Sequence, residues 1–356
     1  MKNNGFLVLQ SGVAFPGVVM SGESSAGEVV FNTSHSGYEE MATDPSYYSQ
    51  ILVTTAPQQG NYGVDDAFWE SKKVWIRGFV CLDVQNSKRD SSWIQRLNEF
   101  SVPLISQVDT RPLVKYLREQ GSQWGAVVKN TDIEKARKEA IHLIEKSKVG
   151  PEDWTQLVCA KEFTEEKGIE QKGPRIALVD FGTKTNILRE LKSRSSVVGI
   201  FPSNTSAEKI KKWNPDGIVL SNGPGDPSKV ESGTKMVREL LGWRHMFGIC
   251  MGHQVLALAL GAETYKLRYG HRGSNHPIRD ELLNKIYMTS QNHGYNVAPE
   301  TLPKNVRITH YNLNDNTVAG IISNEQKCMS VQFHPESHPG PNDSVELFNY
   351  FIKQLL

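Results

Sequence analysis

No cysteine in this chain has another cysteine close by in sequence. The four present, Cys81, Cys159, Cys250 and Cys328, are widely scattered. Neither a disulfide framework nor a thiolate zinc site is expected, and a reducing, cytoplasmic compartment is. Long apolar runs are also missing: none approaches the ~18 residues that span a bilayer. The first residues lack the charged-then-apolar layout of a secretion signal. Nor does charge of one sign dominate, with 40 Lys plus Arg against 39 Asp plus Glu. No global field would gather nucleic acid or an anionic membrane. The local run Lys209-Ile210-Lys211-Lys212 reads as the solvated face of a helix. There is no internal repeat, no biased tract and no Gly-x-x-x-x-Gly-Lys-Ser/Thr nucleotide loop. What is left is a chain of 356 residues, 38% hydrophobic, long enough for about two domains with proper cores.

Residues 1–148 open with short strand-like runs at 6–9, 13–20 and 28–33, then alternate. Residues 91–100 look helical and 103–106 strand-like. Thr110-Arg111-Pro112 starts a helix that Gly121 ends. A strand at 124–128 precedes a charged helix at 131–146, capped by Thr131 or Asp132. This is a mixed β/α domain without a glycine-rich phosphate loop. Residues 149–173 are polar and aperiodic and are expected to be a linker. From 174 to 356 the rhythm is strand and helix in turn. Strands are expected at 176–180, 197–201, 217–220 and 246–249, with helices at 185–193, 207–213, 232–241 and 252–260. Such alternation predicts an α/β fold, doubly wound and mostly parallel, that binds ligands beyond the carboxyl ends of its strands.

Cys250 falls at such an end, in Gly248-Ile249-Cys250-Met251-Gly252-His253-Gln254. A short apolar strand precedes it, and a helix closed by Gly261 follows. A nucleophile on so sharp a turn sits in strained backbone that pushes its side chain outward, and crowding demands glycine on both flanks. The helix N-terminus favours thiolate. A lone cysteine in apolar surroundings is more often a core residue; the paired glycines reverse that reading.

Phe333-His334-Pro335-Glu336 supplies a base and its orienting carboxylate. In an extended segment His334 and Glu336 would point the same way, so one imidazole could face the sulfur while the carboxylate fixes its tautomer. Alone, the tripeptide would be a structural turn; with the glycine-flanked cysteine it becomes catalytic. Ser221-Asn222-Gly223-Pro224-Gly225-Asp226-Pro227 is an ordinary turn or a loop whose N–H groups face an oxyanion, with Met251 N–H as the partner donor. Thr289-Ser290-Gln291-Asn292-His293-Gly294-Tyr295 looks like another Gly-containing loop, in which His293 is as readily structural as functional.

Taken together, these motifs resemble the class I, or triad, glutamine amidotransferases. More narrowly, the chain resembles the small subunit of carbamoyl-phosphate synthase over nearly its whole length. Asn32-Thr33, Gly37-Tyr38 and Thr43-Asp44-Pro45-Ser46 carry that likeness in the first domain. Asp180-Phe181-Gly182-x-Lys184-x-Asn186, Gly270-His271-Arg272-Gly273, Asn275-His276-Pro277 and Gln291-Asn292-His293-Gly294 carry it in the second. The resemblance implies glutamine hydrolysis by Cys250, His334 and Glu336 through a γ-glutamyl thioester. It implies an oxyanion hole at Gly223 and Met251, and glutamine contacts from Ser46, Gly225, Gln254, Asn292, Gly294 and Tyr295. It further implies ammonia delivery to a large synthetase subunit that holds ATP and Mg, with no cofactor or metal in this chain. The product would feed arginine or pyrimidine synthesis. Thr185 and His338 depart from the usual pattern, and Met251 stands where leucine is common. A stand-alone thiol hydrolase, a silent interaction subunit, and a metal site at His271, His276 and His293 are the competing readings.

Overall fold

The computed structural model describes residues 4–355. The chain divides into two compact units, Met1–Pro151 and Glu152–Leu356.

Among the described residues the first unit holds nine strands: β1 (Gly5–Leu9), β2 (Ala14–Ser21), β3 (Ser25–Asn32), β4 (Gln50–Thr54), β5 (Gln58–Gln59), β6 (Gly78–Val80), β7 (Asp83–Val84), β8 (Leu104–Ser106) and β9 (Gln123–Val128). Its helices are α1 (Tyr38–Thr43), α2 (Trp93–Glu99), α3 (Thr110–Gln120) and α4 (Ile133–Ser147). Seven strands close into a barrel in the order β1-β2-β8-β6-β4-β3-β9. Closure removes the sheet edges that an open array of short strands would expose. Trp93, Tyr38, Leu52, Phe79 and Leu104 are buried in one cluster. The charged helix α4 covers part of the barrel because Ala136, Ala140 and Ile144 share one face and pack with Val8, Ala26, Ala126 and Val128. Asp132 is its cap, accepting from Glu134 N and Lys135 N at 2.9 and 3.2 Å.

The second unit contains α5 (Thr155–Val158), β10 (Thr164–Lys167), β11 (Arg175–Asp180), α6 (Thr185–Lys192), β12 (Val197–Pro202), α7 (Ala207–Trp213), β13 (Gly217–Leu220), α8 (Glu231–Leu240), β14 (His245–Ile249) and α9 (Met251–Leu260). After these come β15 (Thr264–Asp280), β16 (Lys285–Val297), β17 (Arg307–Asn312), β18 (Val318–Ser323), β19 (Cys328–Val331) and α10 (Glu346–Lys353). The ten-stranded sheet runs β10-β12-β11-β13-β14-β19-β18-β17-β15-β16. Its centre, β12 to β19, is parallel. Alternation along those strands buries both faces. Ala177, Val179, Ile218, Leu220 and Met246 meet α7, α8 and α9. Ile176, Leu178, Val219, Phe247 and Ile249 meet α6 and α10.

Three expectations need revision. The segment 149–173 is no plain linker, because β10 pairs antiparallel with β12 and extends the sheet; an exposed edge strand needs no apolar alternation, so its polarity hid it. Beyond α9 the sheet continues antiparallel through β18, β17, β15 and β16, so the parallel rhythm describes its core alone. Residues 289–295 lie inside β16 and form no loop; their polar side chains bond to one another within a buried strand.

Candidate active site

Cys250 ends β14 and caps α9 with φ 53° and ψ −101°. Crowding explains the flanking glycines. A Cβ on Gly248 would lie 2.6 Å from Gly252 O, and one on Gly252 would lie 2.2 Å from Leu220 O. Cys250 N–H donates to Val331 O at 2.9 Å, continuing the β14–β19 register past Ile249 and Val331. That register brings the ends of the two strands together, and His334 follows three residues after β19. The outward push expected of the turn is met only in part, since Cys250 is 2% exposed. Its sulfur nonetheless borders polar atoms: the thiol donates to Asn292 O at 3.6 Å.

His334 is held by its backbone, whose N–H donates to Ser290 O of β16 at 3.0 Å. Its Nδ1 meets Glu336 Oε1 at 2.7 Å. The two side chains converge by a turn, not by an extended strand: Ser337 N–H returns to His334 O at 3.1 Å. His334 Nε2 has no hydrogen bond of full geometry and is the nitrogen left for the sulfur. Burial works against the imidazolium. The Glu336 charge and then the Cys250 sulfur outweigh it and raise the His334 pKa to about 10. For Glu336 burial favours the neutral acid, but the Lys184 and His334 charges prevail and lower it to about 2.

Lys184, to which the sequence assigned no role, completes this set. It is buried, with Nζ 3.1 Å from Glu336 Oε1, and it also donates to Ser337 O. Asn186 donates to the Glu336 carbonyl. Asp180, at the end of β11, accepts from Gly182 N and Thr183 N and so shapes the turn that delivers the lysine. Lys184 N–H in turn bonds Asn222 Oδ1 at 3.1 Å. Only its position in a motif could have marked it in sequence, because a lysine beside a strand is usually solvated. His338 is half-buried, and burial, then Lys184 and Arg189, lower its pKa.

Gly223 lies in the loop after β13, next to β14 in the sheet, where a Cβ would sit 2.3 Å from Phe181 O. Met251 is the first residue of α9, so its N–H has no intrahelical acceptor. Gly225 adopts φ +95° with Trp154 beside it. Gln254 Nε2 donates to Tyr295 O at 2.8 Å and to Gln332 Oε1 at 2.9 Å, tying α9 to β16. Arg272 pairs with Asn292 across the β15–β16 hairpin, and a Cβ on Gly294 would lie 3.5 Å from Arg272 Nη2. Ser46 belongs to the first unit, on a short 3-10 turn where its N–H bonds Asp44 Oδ1 at 2.8 Å.

Three other buried histidines have hydrogen-bond partners within the fold. His293 uses both nitrogens, on Tyr295 O and Gln291 Oε1. His253 bonds Ser330 Oγ at 2.8 Å, and burial and then His310 lower its pKa to about 3. His271 meets Asp315 at 2.8 Å, an acidic neighbour that sequence spacing did not offer. Among the described residues no group of three or more His, Cys, Asp or Glu side chains is arranged to hold a metal ion. No helix among them is long and apolar enough to cross a membrane.

A cysteine at a strand-to-helix turn with φ 53°, and an imidazole and carboxylate that follow the neighbouring strand, make up the candidate site on this α/β sheet. Residues 177–354 match the model of glutamine amidotransferase class-I, and residues 7–127 match that of the carbamoyl-phosphate synthase small chain, CPSase domain. The chain is 42% identical to the carbamoyl phosphate synthase small chain of Aquifex aeolicus, over 99% of each chain. It is 42% identical to that of Clostridium perfringens, over 98% of this chain and 99% of the relative. A solved glutamine amidotransferase from Thermotoga maritima covers 46% of this chain and 76% of its own, at 21% identity and a TM-score of 0.36. The chain belongs to the carbamoyl phosphate synthase small chain family.

Proposed function

We propose that this chain is the cytoplasmic glutaminase subunit of a carbamoyl-phosphate synthase, releasing ammonia from L-glutamine by a Cys250–His334–Glu336 triad. The observation that carries the reading is the line of charge from Lys184 to Glu336 to His334 at the strand end beside Cys250. The thiolate is the attacking form, and its proton is held on His334 Nε2. Sulfur adds to the side-chain amide carbon, and the negative oxygen so formed is met by the N–H groups of Gly223 and Met251. Loss of one such donor costs about 2.7–4 kcal/mol of transition-state stabilisation in comparable sites. Collapse of that intermediate breaks the C–N bond, and His334 gives its proton to the leaving nitrogen. The γ-glutamyl thioester remains. Water, deprotonated by the now neutral His334, adds to the thioester and expels the thiolate, yielding glutamate and restoring the imidazolium.

Gly225, Gln254, Asn292, Gly294 and Tyr295 would hold the glutamine. Because Gln254 Nε2 already serves Tyr295 and Gln332, its Oε1 is the atom left to accept from substrate. The ammonia passes to a large synthetase subunit, where bicarbonate and two ATP, with Mg, are converted to carbamoyl phosphate; this chain contributes no cofactor. Cys250→Ser tests the reading in the reconstituted complex. Glutamine-supported synthesis should disappear while synthesis from added ammonia persists. Loss of both would make the cysteine structural, and survival of both would refute the triad.

A further inference from the structure

A cavity of about 780 Å³ in the second unit opens beyond the carboxyl end of β12 and away from the triad. β12 and β14 are three strands apart in the sheet, so roughly 14 Å separates their ends. The floor of the cavity is aromatic. Phe163 lies over Phe201 with centroids 4.6 Å apart, and Trp213 closes the cluster 5.7 Å from Phe201. This platform is fixed. Trp213 packs on Gly199, where a Cβ would come within 2.8 Å of the indole, and its Nε1 donates to Glu165 Oε1 at 2.5 Å. Phe163 packs on Phe201 and Trp213 along one side and is 43% exposed, so its free face is open to the cavity.

The rim is cationic. Lys209 and Lys212 are three residues apart on α7 and both line the cavity, with Glu162 as the one acidic residue of the lining and Lys161 turned to Gln156 O at 2.9 Å. Among the described residues neither Lys209 nor Lys212 has an ion pair or side-chain hydrogen bond. Lys211 points elsewhere, donating to Glu239 O at 3.0 Å. The basic run therefore splits into one structural lysine and two unengaged charges over an aromatic floor. Such a volume suits a small molecule, and stacking plus paired ammonium groups selects a planar ring that bears an anionic group.

We propose that this cavity binds an anionic ring-bearing metabolite of the nucleoside phosphate class, with its ring against Phe163 and its phosphate between Lys209 and Lys212. Isothermal titration of the full chain with adenosine monophosphate tests it, with adenosine and inorganic phosphate as separate arms. Saturable binding of the monophosphate is expected, with each fragment at least about tenfold weaker. Phe163→Ala and the double variant Lys209→Glu, Lys212→Glu should each weaken binding by roughly tenfold or more. All three positions are solvent-exposed, and an unchanged circular dichroism spectrum establishes that the variants fold. Absence of saturable binding at millimolar ligand, or affinity unchanged in both variants, would overturn the assignment. Phosphate binding as tightly as the nucleotide would remove the ring from it, and preference for an acidic peptide over the nucleotide would replace it with a protein contact.

Discussion

Lys184 and Glu336, 152 residues apart, form a buried ion pair at 3.1 Å, and the carboxylate oxygen engaged is the same one that His334 Nδ1 meets. The lysine thus acts on the carboxylate of the proposed triad. Without it, Glu336 loses the largest of the charges that oppose burial, and His334 is left to hold the carboxylate ionised. A protonated Glu336 would neither orient the imidazole nor support its charge.

Lys184→Met removes this counter-charge while keeping most of the side-chain volume. Glutaminase turnover should fall by roughly 10²-fold, and stability by about 3 kcal/mol, as for other broken buried pairs. Ammonia-supported synthesis in the complex should persist. Steady-state kinetics with each nitrogen source, beside urea denaturation, reads both effects. Turnover near the wild-type level would show that Glu336 needs no lysine.

Gly252→Ala places a methyl group 2.2 Å from Leu220 O. Neither β13 nor α9 can yield without displacing the loop of Gly223 or the turn of Cys250. Such overpacking costs about 1–3 kcal/mol. Alkylation of Cys250 by iodoacetamide and glutamine turnover should both change, whereas Gly261→Ala, where a Cβ meets nothing within 4 Å but φ is +99°, should cost stability alone. Equal activity in Gly252→Ala and wild type would refute the steric account of the turn.

The parts of this molecule legible in sequence were those in which local chemistry and fold agree. Strands β11 to β14 are apolar and buried on both faces, and α9 ends at Gly261 in a left-handed cap, so periodicity and capping found them. The cysteine turn was legible because only glycine fits on either side. The barrel was not, since its closure depends on pairings such as β3 with β9, nearly a hundred residues apart. β16 was hidden because its residues 289–295 satisfy polar side chains inside the fold, which defeats an apolar pattern. Lys184 was missed for the same reason: a charge is buried only where a distant partner meets it.

Gln254→Leu tests the link between α9 and β16. The change leaves the Tyr295 carbonyl and Gln332 Oε1 without their shared donor. A buried acceptor so stranded costs about 1–3 kcal/mol, and the strand carrying Asn292, Gly294 and Tyr295 loses its tether. The KM for glutamine should rise by roughly tenfold, more than kcat falls. A reduced kcat at unchanged KM would place Gln254 in the chemical step instead.

Glu336→Gln tests the electrostatics of the proposed triad through pH. In the native site the Glu336 pKa is lowered from 4.5 to about 2. Its contribution to stability is present above the ordinary value and is lost as pH falls through about 2. The His334 pKa is raised from 6.5 to about 10, so its contribution is complete below 6.5 and is lost as pH rises through about 10. The amide removes the largest of the charges that hold the proton on His334, while burial, which opposes that proton, remains. The His334 pKa should therefore drop well below 10, and the alkaline limb of glutamine turnover should move to lower pH with it. A titration of His334 by nuclear magnetic resonance, set against the pH–rate profile, reads the two together. An imidazole that still held its proton near pH 10 in the variant would mean that Cys250, and not Glu336, sets its charge.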